Sequence, residues 1–327
     1  MYCRIPSLIL LAAFVGSAAP PRKAFPPPLQ GTQTLWRNPG QVEAKDMVDG
    51  SGGRGLRPVG PFTFVKEDPS GTTPKVTIRD ARGRVWSAKW GEEVHSDVFA
   101  SRLAWAVGYV TEATYYVPQG IILGVEHKSL KRAGKYIGPQ GEFREARLQL
   151  RSQPDKFLKD YNWSWSYNPF MGTPQLDGLK IMVLLTSNWD NKDARDEDGG
   201  NTGIYQHISG RNQSFLYFIQ DWGASMGRWG HAATRSKWDC IGYDDESRHF
   251  VKGVKDGFVD WGYSGKHTND ATRNIPIAHV QWLMQYLGRI TDRQIVMALR
   301  ASGATEGEEA CYLRSVRQRI NQLQSLR

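Results

Sequence analysis

Between Phe62 and Trp90 the chain commits itself to a run of short strands. FTFVKE (62–67), KVTIRD (75–80) and VWSAKW (85–90) are separated by the polar turns PSGTT and ARGR. β-Branched and aromatic residues interleaved with polar ones suit a pleated strand with one buried face. Gly, Pro and Ser between the runs supply tight turns. The period then changes. Over Glu92–Val107 the apolar residues Val94, Val98, Leu103, Ala104 and Val107 fall close to a 3.6-residue repeat, which predicts a helix.

After Gly108 the sequence returns to β character in YYVP and IILGVEH, then passes through the basic loop KSLKRAGKYIG to ARLQLRS (146–152). A polar and aromatic stretch covers Asp155–Phe170. LDGLKIMVLLTSNW (176–189) is long and apolar enough to read as a buried helix. GIYQHI and FLYFIQ flank SGRNQS as a hairpin, and residues 276–327 are mainly helical. No internal repeat is present. The expectation is a two-lobed α+β arrangement, with a β-rich N-lobe over 61–152 and a mainly helical C-lobe over 153–327.

The N-terminus predicts export. Arg4 precedes the apolar Ser7–Phe14, and Gly16, Ser17 and Ala18 suit signal-peptidase cleavage after residue 18. That apolar run is too short to span a membrane, and no later one is longer. A secreted or periplasmic location follows. Residues 19–60 contain PPRKAFPPP and DGSGGRGLRPVGP and read as a Pro/Gly-rich linker. Cys3 leaves with the signal segment, so Cys240 and Cys311 either pair or remain buried thiols. A net charge of +9 favours anionic partners. The Lys and Arg residues are dispersed, however, and neither a zinc finger nor an RNP pattern is present, so nucleic acid is not an expected partner.

Three places carry chemistry. Lys89 ends the third strand and is followed by Glu92, Glu93 and Asp97 on the next helix. A helix carboxylate can tether the flexible ammonium so that it holds phosphate, although acids are common at any helix N-terminus. Asn188–Asp193 (NWDNKD) follows the buried helix. An aspartate there can take a hydroxyl proton and Lys192 can neutralise a developing charge; the same loop is also rich in oxygen ligands, without EF-hand spacing. Asp221-Trp222-Gly223 follows the strand FLYFIQ and aims a carboxylate from a strand end. No zinc spacing, H-E-x-x-H or G-x-S-x-G accompanies them.

In order, these parts run strand lysine, helix acid, apolar helix, Asp-x-Lys loop, hairpin, Asp-x-Gly. The segment resembles the atypical protein-kinase-like superfamily of HipA-type, phosphatidylinositol-kinase-like and secretory-pathway kinases, and uncharacterised bacterial secreted proteins related to them. DVFASRLAWAVGY (97–109), LLTSNWDNKD and QDWGASMG carry the resemblance over roughly half the chain. It implies a kinase-like fold and a kinase-type phosphotransferase using ATP or another nucleoside triphosphate with Mg or Mn. Lys89 would hold phosphate with Asp97 as its ion-pair partner, and Ser70, Gly71 and Thr72 would lie in the phosphate-covering loop. Asp190 would be the catalytic base, Lys192 would contact the transferred group, and Asp221 would bind the metal.

The chain departs from that pattern in places. Asp97 is shorter than the glutamate usual in the family. Arg195 stands five residues after Asp190, where the family has a metal-binding Asn, and a guanidinium cannot ligate a metal. Asp193 or Asp196 would then substitute, or a single metal would suffice. The acceptor is left open among protein, lipid and sugar. Two other readings stand beside this one: a catalytically inactive nucleotide-binding protein of the same shape, and a secreted carbohydrate- or envelope-binding protein using exposed Trp163, Trp165 and Trp229.

Overall fold

Alternating runs become strands because each can bury only one of its faces, and here they close on themselves. The structure is a computed structural model that describes residues 29–326 except 72, 152–153, 160, 193–200, 232 and 264–267. It opens with β1 (Thr32–Thr34), followed by β2 (Phe62–Asp68), β3 (Lys75–Arg79), β4 (Val85–Lys89) and helix α1 (Glu93–Ala106). Strands β5 (Thr114–Leu123) and β6 (Glu142–Leu150) complete a closed barrel in the order β2-β3-β4-β6-β5. The β2–β5 pair that closes it is parallel, and the others are antiparallel. Val76, Ile78, Trp86, Ala88, Ala146, Leu148 and Leu150 are buried in one core with Phe62 and Phe143. Period 2 then assigns Lys75, Thr77, Ser87, Lys89, Arg147 and Gln149 to the opposite face.

The rest of the chain packs around a second core. Strand β7 (Lys156–Phe157) precedes α2 (Pro174–Leu185), which starts at Thr173, whose hydroxyl accepts from the Leu176 amide, with Pro174 at the first helical position. Strands β8 (Thr202–Ser209) and β9 (Asn212–Ile219) form the expected hairpin in a sheet ordered β1-β9-β8-β7. Then come α3 (Cys240–Ser247), β10 (Val251–Lys255), β11 (Phe258–Trp261), α4 (Asn269–Thr272), α5 (Ile277–Leu287), α6 (Asp292–Ala301) and α7 (Glu306–Gln324). Thr291 with Gln294, and Thr305 with Glu308, make capping boxes at the last two helices. The fold is mixed α+β. Helix α1 is buried on nearly every side, because the barrel, α6 and the 3-10 turns of the N-terminal segment all pack on it.

Two expectations change here, and the open alternative for the cysteines closes. Residues 29–60 are not a linker: β1 pairs in parallel with β9, and Leu35, Val42 and Met47 are buried in the second core. Trp36 Nε1 donates to the Val107 carbonyl at 2.7 Å, and the Arg37 amide donates to the Gly108 carbonyl at 2.9 Å. Gly108 is required there, since its φ is +103° and a Cβ would stand 2.2 Å from the Arg37 oxygen. The Pro and Gly content of this segment serves turns rather than disorder. Trp163, Trp165 and Trp229 are only 2%, 2% and 1% exposed, which removes them as a stacking surface for sugars. Cys240 and Cys311 form a disulfide between α3 and α7, with Cα atoms 6.3 Å apart. The signal-peptide reading lies outside the described residues, among which no helix is long and apolar enough to cross a membrane.

Candidate functional site

The polar face of the barrel forms one wall of a cavity of about 920 Å³. Strand register sets that wall. Lys75 lies opposite Lys89 and Lys89 opposite Arg147; in the next row Thr77 faces Ser87 and Ser87 faces Gln149. Like charges directly opposite destabilise a sheet unless something offsets them. Acids do so here: Lys75 pairs with Asp68 at 3.3 Å, and Arg147 with Asp97 at 2.7 Å. Lys89 pairs with Glu93, the first residue of the helix that follows, and with Asp221 at 3.1 Å.

Loops build the opposite wall. Helix α2 ends at Leu185, Ser187 adopts a φ of +52°, and a 3-10 turn over Trp189–Asn191 follows. The side-chain amides of Asn188 and Asn191 donate to the Asp221 carbonyl at 3.1 and 2.9 Å, and the Trp189 amide donates to the Ala224 carbonyl at 3.3 Å. Asp221 Oδ1 accepts from the Gly223 amide at 2.7 Å. Glycine is needed at 223, because a Cβ would stand 2.7 Å from the Cβ of Glu93. Ser96 of α1 donates to the Gly223 carbonyl at 2.6 Å, which ties the loop to the helix. Beyond it, Lys237 gives Glu93 a second ammonium partner, while Thr73 donates to Glu93 from the first hairpin at 3.0 Å.

These contacts set the charges. Burial by itself would raise the Asp221 pKa, but Lys89, Arg147 and the Gly223 amide hold it well below the usual carboxylate range. Burial would lower that of Lys89; Asp221 and Glu93 outweigh it and the ammonium stays charged. Asp190 moves the other way, raised by desolvation and then by the negative charge of Asp221. The two carboxylates of one cavity are thereby shifted in opposite directions.

The expected site residues divide clearly. Ser70, Gly71, Lys89, Asp190 and Asp221 all line the cavity. Thr72, Asp193, Arg195 and Asp196 lie outside the described residues. Asp97 is not the partner of Lys89. Glu93, nearer in sequence and longer in side chain, takes that place, while Asp97 sits one turn deeper against Arg147 and is buried. Lys192 does not line the cavity. It is buried with its ammonium 5.5 Å from the Trp229 ring centroid, and its carbonyl accepts from the Ala271 amide. Glu112, Arg147, Gln149 and Arg235, which line the cavity, escaped notice. Parity within the strands could have found Arg147 and Gln149, whereas Glu112 and Arg235 come from loops and carry no such signal. Among the described residues no three His, Cys, Asp or Glu side chains gather to hold a metal ion. No protein-family model, curated protein or solved structure matches the chain.

Proposed function

We propose that this cavity is a phosphotransferase site of the atypical-kinase type, taking a phosphoanhydride donor with Mg or Mn and passing phosphate to an alcohol. One observation supports the reading above all. The Lys89–Glu93 pair, Asp190 and Asp221 come from three separate stretches of sequence and meet in one cavity. In this reading Lys89, held by Glu93, grips donor phosphate oxygens. Asp190, with its raised pKa, accepts the proton of the acceptor hydroxyl as that oxygen bonds to phosphorus. The bond from phosphorus to the bridging oxygen breaks, and its electron pair leaves with the shortened donor.

Asp221 is the residue that would hold the metal, with the buried and unpartnered amide oxygen of Asn191 in the loop that props it. A divalent ion commonly needs only one or two carboxylates when phosphates and water complete its shell, so this donor set fits. Bound there, it would neutralise charge on the phosphate oxygens. The kinase-like fold belongs to this proposal, as does work outside the cytoplasm, which rests on the N-terminal signal alone. The placement of Lys192 on Trp229 favours one second reading, a site that binds its ligand without transferring phosphate.

A thermal-shift titration with a nucleoside triphosphate and Mn²⁺ tests the binding, since a ligand that binds only the native state raises the melting temperature. Asp221→Ala should abolish the shift. Transfer of labelled γ-phosphate should disappear in Asp190→Ala while the shift is kept; transfer that survived both changes would overturn the assignment.

A further inference from the structure

The cavity wall restricts what its donor can be. We infer that the donor is recognised through its phosphate chain and not through a base, so that inorganic tripolyphosphate binds as well as a nucleoside triphosphate. This rests on the phosphotransferase reading of the same site.

A purine is held by apolar surface above and below its ring. Among the described residues, no aliphatic side chain lines this cavity, and the aromatic lining is Trp189. That ring is already faced by Arg235, 4.6 Å from its centroid, and by Lys237 at 5.3 Å. The strand positions in the row beside Lys89 are Ser87 and Gln149, both polar, so this stretch of the wall offers a base no apolar face. The Gln149 side chain is already engaged at both ends. Gln149 accepts from Arg147 at 2.6 Å and donates to Glu112, which also accepts from the Tyr205 hydroxyl at 2.6 Å. A base edge would have to break this buried network, and breaking one strands polar groups without partners.

A phosphate chain would meet cations that carboxylates already hold, and would replace one anionic partner by another. Lys75 and Lys89 stand side by side in register on the cavity face, and Arg151 and Arg235 extend the positive lining. Ammonium and guanidinium groups bind phosphate oxygens whatever the chain's far end carries. Ser70, Gly71 and Thr73 add small polar groups to the lining.

The test uses the full chain at fixed free Mn²⁺, with calorimetric titration of tripolyphosphate, ATP, GTP and adenosine. Tripolyphosphate, ATP and GTP should bind within about threefold of one another, and adenosine should not bind at millimolar concentration. Lys89→Met should weaken all three phosphates together, by about tenfold or more. ATP binding more than about tenfold tighter than tripolyphosphate, or any binding by adenosine, overturns the inference and leaves the phosphotransferase reading standing. If none of the three phosphates binds, that reading falls and the inference with it.

Discussion

The two walls of the cavity are built on different principles. On the barrel side, charges are placed by strand register, and each cation is backed by a closed core. On the loop side, Asp190 and Asp221 are placed by hydrogen bonds from side chains to main chain, chiefly those of Asn188 and Asn191 to the Asp221 carbonyl. The first kind of placement is cooperative and rigid, because moving one residue means moving a strand. The second depends on single bonds. Damage to the packing behind the barrel wall should therefore appear first as lost stability, and damage to the loop wall first as lost binding.

The largest expected effect is on the barrel side. Trp86 is fully buried, packs edge-on to Tyr115 at 5.8 Å, and donates from Nε1 to Asp80 at 3.0 Å. Trp86→Ala should cost about 3–5 kcal/mol in chemical denaturation, with ligand binding lost only as the fold is lost. Were binding to vanish in a variant that kept its stability, the barrel wall would not be the rigid partner described above.

Asp97 tests the same wall through pH. Burial lifts its pKa from about 3.8 to about 6, against the opposing pull of Arg147. A carboxyl with a raised folded-state pKa keeps more protons in the native state than in the unfolded one. Stability contributed by this group is thus full below about pH 4 and lost as pH rises toward 6. Asp97→Asn does not titrate, so its stability relative to wild type should climb across that window, by on the order of 2 kcal/mol. Denaturation curves at pH 4, 5 and 6.5 check this, and a flat difference would mean that folding does not raise the Asp97 pKa.

The barrel wall was also the legible one. Lys89 was readable because a strand ending in lysine before a helix is a local pattern, and the three strand runs needed only period 2 and turn residues. Glu93 was in view beside Asp97, but the choice between them depends on how α1 is wedged against β6, a tertiary fact. Asp190 and Asp221 were legible as sequence positions; what props them was not, since an asparagine bonding a distant carbonyl has no periodicity. Residues 29–60 misled for a related reason. Gly and Pro mark turns and linkers alike, and only the burial of Leu35, Val42 and Met47 tells them apart.

On the loop side, Asn191→Leu keeps the volume and removes one of the two donors to the Asp221 carbonyl. Asn188 still satisfies that oxygen, so stability should fall by only about 1 kcal/mol. Affinity for the Mn²⁺–triphosphate complex should fall much further than this loss of stability explains. Equal losses in the two measurements would make the loop wall no different from the barrel wall.

Lys237 should give a comparably small change in stability and the sharpest contrast. Its side chain is 23% exposed, and the largely buried Glu93 keeps two other partners, so losing this contact should cost about 1 kcal/mol. Yet it comes from the loop wall and holds Glu93, which anchors Lys89 on the barrel wall, so it is a joint between the two. In Lys237→Met, Glu93 keeps Lys89 and Thr73 as partners but loses its second ammonium. The melting temperature should fall only slightly, while triphosphate affinity falls a few-fold and Lys237→Arg restores it. A purely structural lysine would shift both measurements in proportion, and the arginine rescue would then track stability rather than binding.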